Sequence, residues 1–113
     1  MNPDKRPLLR VVAGVLLNHQ GEYLLSSRPE GKPYAGYWEF AGGKVEPSES
    51  ETDALKREFA EELGITIGPA EVWRVTEHNY PHARVRLHWC KVFQWEGEFE
   101  MREGQSMAWQ TFP

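Results

Sequence analysis

The chain has 113 residues, a formal charge of −4 and 12% aromatic residues. That length accommodates a single domain, 1–113, with enough aromatic bulk for a core without disulfides. The negative charge gives no general attraction to a nucleic-acid polymer, and no apolar run approaches the roughly 20 residues that span a membrane. A single cysteine, Cys90, excludes an internal disulfide framework and fits a reducing compartment. The N-terminal MNPDKRPLLR carries basic residues with no apolar signal core behind them, so the expectation is a soluble, cytoplasmic chain.

In chain order, Leu8–Leu17 (LLRVVAGVLL) is apolar and β-branched and reads as a buried strand. Asn18–Gly21 signals a turn, and Glu22–Ser27 is the expected hairpin partner. The Gly- and Pro-rich stretch Arg28–Gly36 is a loop, and Trp38–Phe40 is a short extended piece leading to Gly42 and Gly43. Ser48 with Glu51, or Ser50 with Asp53, offers a helix N-cap with an acid three residues on. The helix then runs to about Leu63, with Leu55, Phe59 and Leu63 on its core face and Gly64 as a left-handed C-cap.

Ala70–Tyr80 and Ala83–Trp95 alternate as two strands joined at Pro81-His82. In the second, Val85, Leu87, Trp89, Lys91 and Phe93 share one face, and Arg86, His88, Cys90, Val92 and Gln94 the other. A charged connection, Glu96–Gln105, precedes a last strand at Ser106–Gln110. Strands before and after one helix imply a mixed sheet of α/β or α+β type. One helix covers one face only, so the expectation is a continuation after Pro113 or a partner subunit over the other face.

Glu58, Glu61 and Glu62 project together from the helix, because residues three and four apart share a face. Repulsion at that spacing costs about 0.2–0.5 kcal/mol per pair in an isolated helix, and a cation among the carboxylates removes it. With Glu49 they form a set of hard oxygen donors suited to Mg²⁺ or, alternatively, Mn²⁺. A solvated acidic face is the competing reading. His78, His82 and His88 are too dispersed for a compact metal site and read as surface or core residues, and Cys90 as inert packing.

The spacing from Gly43 to Glu49, and on to Arg57-Glu58-Phe59-Ala60-Glu61-Glu62-Leu63-Gly64-Ile65, resembles the Nudix box at every fixed position, residues 43–65. Arg28, Trp38-Glu39-Phe40 before Gly42-Gly43-Lys44, Trp95–Glu98 and Glu103-Gly104-Gln105 resemble the MutT-type branch. The resemblance implies a mixed β-sheet sandwiched with helices and a divalent-metal-dependent hydrolase of nucleoside diphosphate derivatives. For the MutT-type branch it implies cleavage of a (deoxy)nucleoside triphosphate, oxidised or not, to monophosphate and pyrophosphate.

By the same resemblance Glu58, Glu61, Glu62, Glu103 and the Gly43 carbonyl hold the metal, and Glu58 or Glu103 is the general base. Arg57 pairs with Glu49 as a brace, while Arg28, Phe40 and Lys44 bind substrate. Monomer and homodimer remain open. ADP-ribose or a dinucleoside polyphosphate is the alternative substrate, and a non-catalytic nucleotide-binding module the alternative class. Ala41 stands where the family usually has proline, and Ser48 where glycine is usual; neither removes a ligand. The loop and helix that follow the last strand in MutT-type members, with an asparagine that reads the purine, have no counterpart up to Pro113.

Overall fold

The computed structural model describes residues 5–31 and 34–112. Lys32 and Pro33 of the expected loop, the first four residues and Pro113 lie outside the described residues.

Valine- and leucine-rich β1 (Leu8–Leu16) lies inside a four-stranded mixed sheet, where both of its faces can be buried. Its neighbours are β4 (Gly42–Lys44), antiparallel, and β7 (Ala83–Val92), parallel. The strand β6 (Ala70–Tyr80) pairs antiparallel with β7 and carries a bulge between Val72 and Arg74. A second sheet orders β3 (Trp38–Glu39), β2 (Glu22–Ser27) and β9 (Met107–Thr111), all antiparallel. A third, two-stranded ladder pairs β5 (Thr66–Ile67) with β8 (Trp95–Glu96).

The helix α1 (Glu51–Leu63) starts at Ser50, whose side chain accepts from the Asp53 amide at 3.1 Å, so Ser50 and not Ser48 is the cap. Glu51 and Asp53 in the first turn complement the positive end of the helix dipole. Gly64, at φ 70°, ends it in the left-handed conformation that a side chain disfavours. Leu55, Phe59 and Leu63 join Val12, Leu16, Cys90 and Val92 of the four-stranded sheet and Leu24 of the three-stranded one in a single core. Among the described residues no helix is long and apolar enough to cross a membrane.

Two expectations change, and a point that the alternation left open is decided. The stretch Glu22–Ser27 is not the ladder partner of the first strand: a single bridge, Leu17 to Tyr23, links them, and β2 turns into the other sheet. The long strand from Ala83 stops at Val92, and Trp95–Glu96 breaks away to pair with Thr66–Ile67 after the helix. In β7 the face that looks polar in sequence is the buried one, because His88, Cys90 and Val92 face the helix. Its more apolar face, with Leu87 and Trp89, stays half-open.

Gly14, which interrupts the apolar run of β1, makes room for Phe59: a Cβ there would lie 2.5 Å from the ring. Overpacking of this kind costs about 1–3 kcal/mol, whereas emptying the site with Phe59→Ala costs about 3–5 kcal/mol. Urea denaturation is expected to show both losses, with Phe59→Ala the larger; an unchanged midpoint for Gly14→Val would contradict this packing.

Candidate active site

Two glycines bring β4 onto its neighbours. A Cβ on Gly42 would meet the Val12 carbonyl oxygen at 2.0 Å, so only glycine lets the strand lie against β1. A Cβ on Gly43 would meet the Glu58 carboxyl carbon and Oε1 at 2.5 Å each. The Glu58 carboxylate thus occupies the space that a side chain at 43 would fill.

Arg57, one residue earlier on α1, points to the adjacent loop. Its Nε and Nη2 donate to the two oxygens of Glu49 at 2.7 and 2.9 Å, a bidentate pair. The same guanidinium donates to Glu58 at 2.9 Å, to Glu61 at 3.3 Å and to the Lys44 carbonyl at 3.0 Å. Glu49 also accepts from the Glu46 amide at 2.9 Å, which closes the loop before the helix. Donation from Arg57, foremost, lowers the Glu49 carboxyl from its ordinary 4.5 to about 2.

Glu62 sits one turn beyond Glu58 in a drier environment. Its Oε2 is buried with no hydrogen-bond partner. Burial first, then the hydrogen bond it shares with Glu58, then the negative charges of Glu58, Glu103 and Glu39, raise its pKa. A buried carboxyl crowded by other carboxylates is held towards its neutral form unless positive charge is brought in. Glu61 lies on the exposed side and reaches Arg57. Among the described residues no three acidic, histidine or cysteine side chains form a ready-made ligand cluster. Arg57 draws Glu58 and Glu61 towards itself, and Glu62 is left outside its reach. The donors present are nevertheless all hard oxygens, and the buried, unpartnered Glu62 oxygen one turn from Glu58 suits a divalent cation.

The connection Gly97–Ser106 wraps the C-terminal end of α1. The Glu100 and Arg102 amides donate to the carbonyls of Leu63 and Glu62 at 2.8 and 3.2 Å, and Glu103 stands close enough for its charge to act on Glu62. On the other side of Gly43 a cleft of about 350 Å³ is lined by Arg28, Glu39, Phe40, Leu87 and Trp89. Arg28 donates to Glu39 at 3.1 Å. Phe40 meets Trp89 edge-on, centroids 5.7 Å apart, and across this pair lies an apolar groove that also includes Val15, Trp73 and Phe112.

The fold therefore seats Glu58 on Gly43 with Glu62 one turn on, leaves Glu103 near enough for its charge to act on Glu62, and lines the cleft at Gly43 with Arg28 and Phe40. Lys44 is exposed, and its side chain faces a separate shallow cleft with Leu8, Arg10 and Pro47. The three histidines stay apart. His82 stacks on Tyr80 at the β6–β7 turn, His78 borders the apolar groove, and buried His88 lies 3.5 Å from Glu51. Cys90 is buried, which raises its thiol to about 11. Sequence reasoning did not single out Glu39, Trp89 or Gln105. Glu39 and Gln105 lie in the quoted motifs, and Trp89 shares the apolar face of β7 with Leu87, so the letters were present without the neighbours.

The acid sensitivity of this cluster follows from Glu49. Its folded pKa is depressed, so its stabilising contribution is complete above about pH 4.5 and lost as pH falls towards 2. Thermal melting from pH 6 to 2 should fall more steeply for the parent than for Glu49→Gln; parallel curves would exclude the Arg57 pairing as the cause. Glu62 carries the opposite sign. At neutral pH without divalent metal, Glu62→Gln is expected to raise the melting temperature; a lower melting temperature for the metal-free variant would refute this.

The NUDIX domain profile matches residues 7–113. The chain is 39% identical to the 8-oxo-dGTP diphosphatase of Haemophilus influenzae, covering 94% of this chain and 77% of that protein. It is 38% identical to the CTP pyrophosphohydrolase of Escherichia coli, covering 90% and 75%. The solution structure of the E. coli ORF135 protein superposes with a TM-score of 0.84 at 36% identity, over 97% of this chain and 79% of that one. A MutT protein from Methanosarcina mazei Go1 gives 0.83 at 27% identity, over 96% and 80%. With an intact 43–65 box and homology along its length, the chain belongs to the NUDIX domain family, as a hydrolase of the MutT type.

Proposed function

We propose that the chain is a Mg²⁺-dependent pyrophosphohydrolase that cleaves a nucleoside triphosphate to the monophosphate and pyrophosphate. The observation that carries this reading is the Glu58 carboxylate seated on Gly43, next to a Glu62 oxygen buried without a partner. Glu58, Glu61, Glu62, Glu103 and the Gly43 carbonyl are the proposed ligands, and Mn²⁺ is the natural substitute. A bound divalent cation would neutralise phosphate charge and lower the pKa of an attacking water.

The chain's own groups supply the rest. Arg57 holds Glu58 by one arm and the pre-helix loop by the others, so the carboxylates keep their places as charge enters the site. Arg28, which lines the cleft together with Gly43, is the proposed phosphate contact, and it exchanges Glu39 for substrate oxygen on binding. Phe40 and Trp89 offer aromatic surface to the base. Glu58 and Glu103 are the two candidates for taking the proton from water.

The base is the open part of the substrate. The two relatives at 39% and 38% identity carry names that point to an oxidised purine and to a pyrimidine, respectively. A panel of 8-oxo-dGTP, dGTP, CTP and ADP-ribose, assayed for pyrophosphate and phosphate release, separates these readings. Glu58→Gln and Glu62→Gln should each lower kcat by about 10²-fold or more, the scale of losing an essential proton acceptor or ligand. Parent-like turnover in both variants would end the catalytic reading. Turnover by the parent in excess chelator would end the metal reading.

A further inference from the structure

Gln105 is buried, at 6% exposure, in a connection that is otherwise largely exposed. Its carboxamide is used at both ends: Nε2 donates to the Glu62 carbonyl at 3.0 Å, and Oε1 accepts from the Glu103 amide at 3.0 Å. The Glu62 carbonyl lies in the last turn of α1, where carbonyls have no intrahelical donor. The Arg102 amide also donates to it, at 3.2 Å. One planar amide therefore spans the backbone of a helical carboxylate residue and the backbone of the loop residue whose charge acts on it. Only a group that donates and accepts can do this. Glutamate has the same shape and lacks the donor; methionine fills the same space and offers neither bond.

We infer that Gln105 is a positioning residue, joining the carbonyl of Glu62 to the amide of Glu103 and so holding the backbone that carries the Glu103 carboxylate against the last turn of α1. The inference rests on the reading of Glu103 as a member of the metal-binding carboxylate set. It assigns Gln105 no contact with substrate. Glu103 lies in an exposed stretch of the loop, and the Gln105 carboxamide ties its backbone to the end of the helix. Groups that orient metal ligands typically contribute about 10–100-fold in affinity or rate when removed.

The test uses the full chain with Gln105→Glu and Gln105→Met, each alone and combined with Glu103→Gln. Amide hydrogen exchange at Glu103, Mn²⁺ affinity by electron paramagnetic resonance, and kcat and KM for the best triphosphate are measured. The expected result is faster exchange at Glu103, Mn²⁺ affinity weaker by about 10–100-fold and kcat lower by a similar factor, with KM within about twofold. In the Glu103→Gln background, Gln105→Met should then change kcat little, because the residue it positions is gone. A Gln105→Met protein with a lower melting temperature but parental kcat and Mn²⁺ affinity would reduce Gln105 to a structural cap. So would effects of Gln105→Met and Glu103→Gln that simply multiply. If Gln105→Met does not fold, Gln105→Glu, which keeps the packing, gives the same decision. A parent without Mg²⁺-dependent turnover removes the catalytic reading alone, and exchange and Mn²⁺ affinity still decide the positioning role.

Discussion

The guanidinium of Arg57 meets Glu49, Glu58, Glu61 and the Lys44 carbonyl. Those partners come from the loop before the helix, from the helix itself and from β4, so one rigid fork ties three segments together. A lysine could not replace it, since an ammonium offers no planar pair of donors for a bidentate carboxylate and no second edge for a backbone oxygen. The fork is only partly exposed, and its single positive charge is shared among the three carboxylates it meets. The glycine pair depends on the same arrangement: β4 must lie close enough for its Lys44 carbonyl to reach Arg57, and residue 43 must leave room for Glu58.

What Arg57 does not reach is Glu62. That carboxyl is left with a buried oxygen and three acidic neighbours, a local arrangement that opposes stability. Sites of chemistry commonly keep such a cost, because charge that folding leaves unsatisfied is available to a ligand. The cost is carried by the core immediately beneath, where Leu55, Phe59 and Leu63 fill the opposite stripe of the same helix. One helix therefore serves as structural buttress on one side and as donor array on the other, and Gly14 is the point on β1 that lets the buttress seat fully.

The cleft next to the carboxylates has a different character. Arg28 and Glu39 give it one polar wall, and Phe40, Leu87 and Trp89 give it apolar ones. A charged end and an aromatic end are the two requirements of a nucleotide site. Phe40 and Trp89 also border the larger apolar groove, so the aromatic surface offered here comes from residues outside the box.

Element types were legible from local pattern: the apolar run of β1, the helix with its Leu55–Phe59–Leu63 stripe and Gly64 stop, the alternating pair β6 and β7, and the spacing of the box. These signals are short-range, set by side-chain period, capping and backbone freedom, and a sequence displays them directly. Strand partnership was not legible. Nothing local to Glu22–Ser27 says that it should leave β1 for Met107–Thr111, or that β1 should run parallel to a strand some 70 residues later. Nor could alternation tell which face of β7 would be buried, since that depends on where the helix packs. The sequence by itself determined the helix, its carboxylate-bearing side and the family to which they belong. Only the tertiary structure decided that Glu39, Trp89 and Gln105 stand with them, because those contacts join residues distant in the chain and exist only once the sheets and the helix have packed.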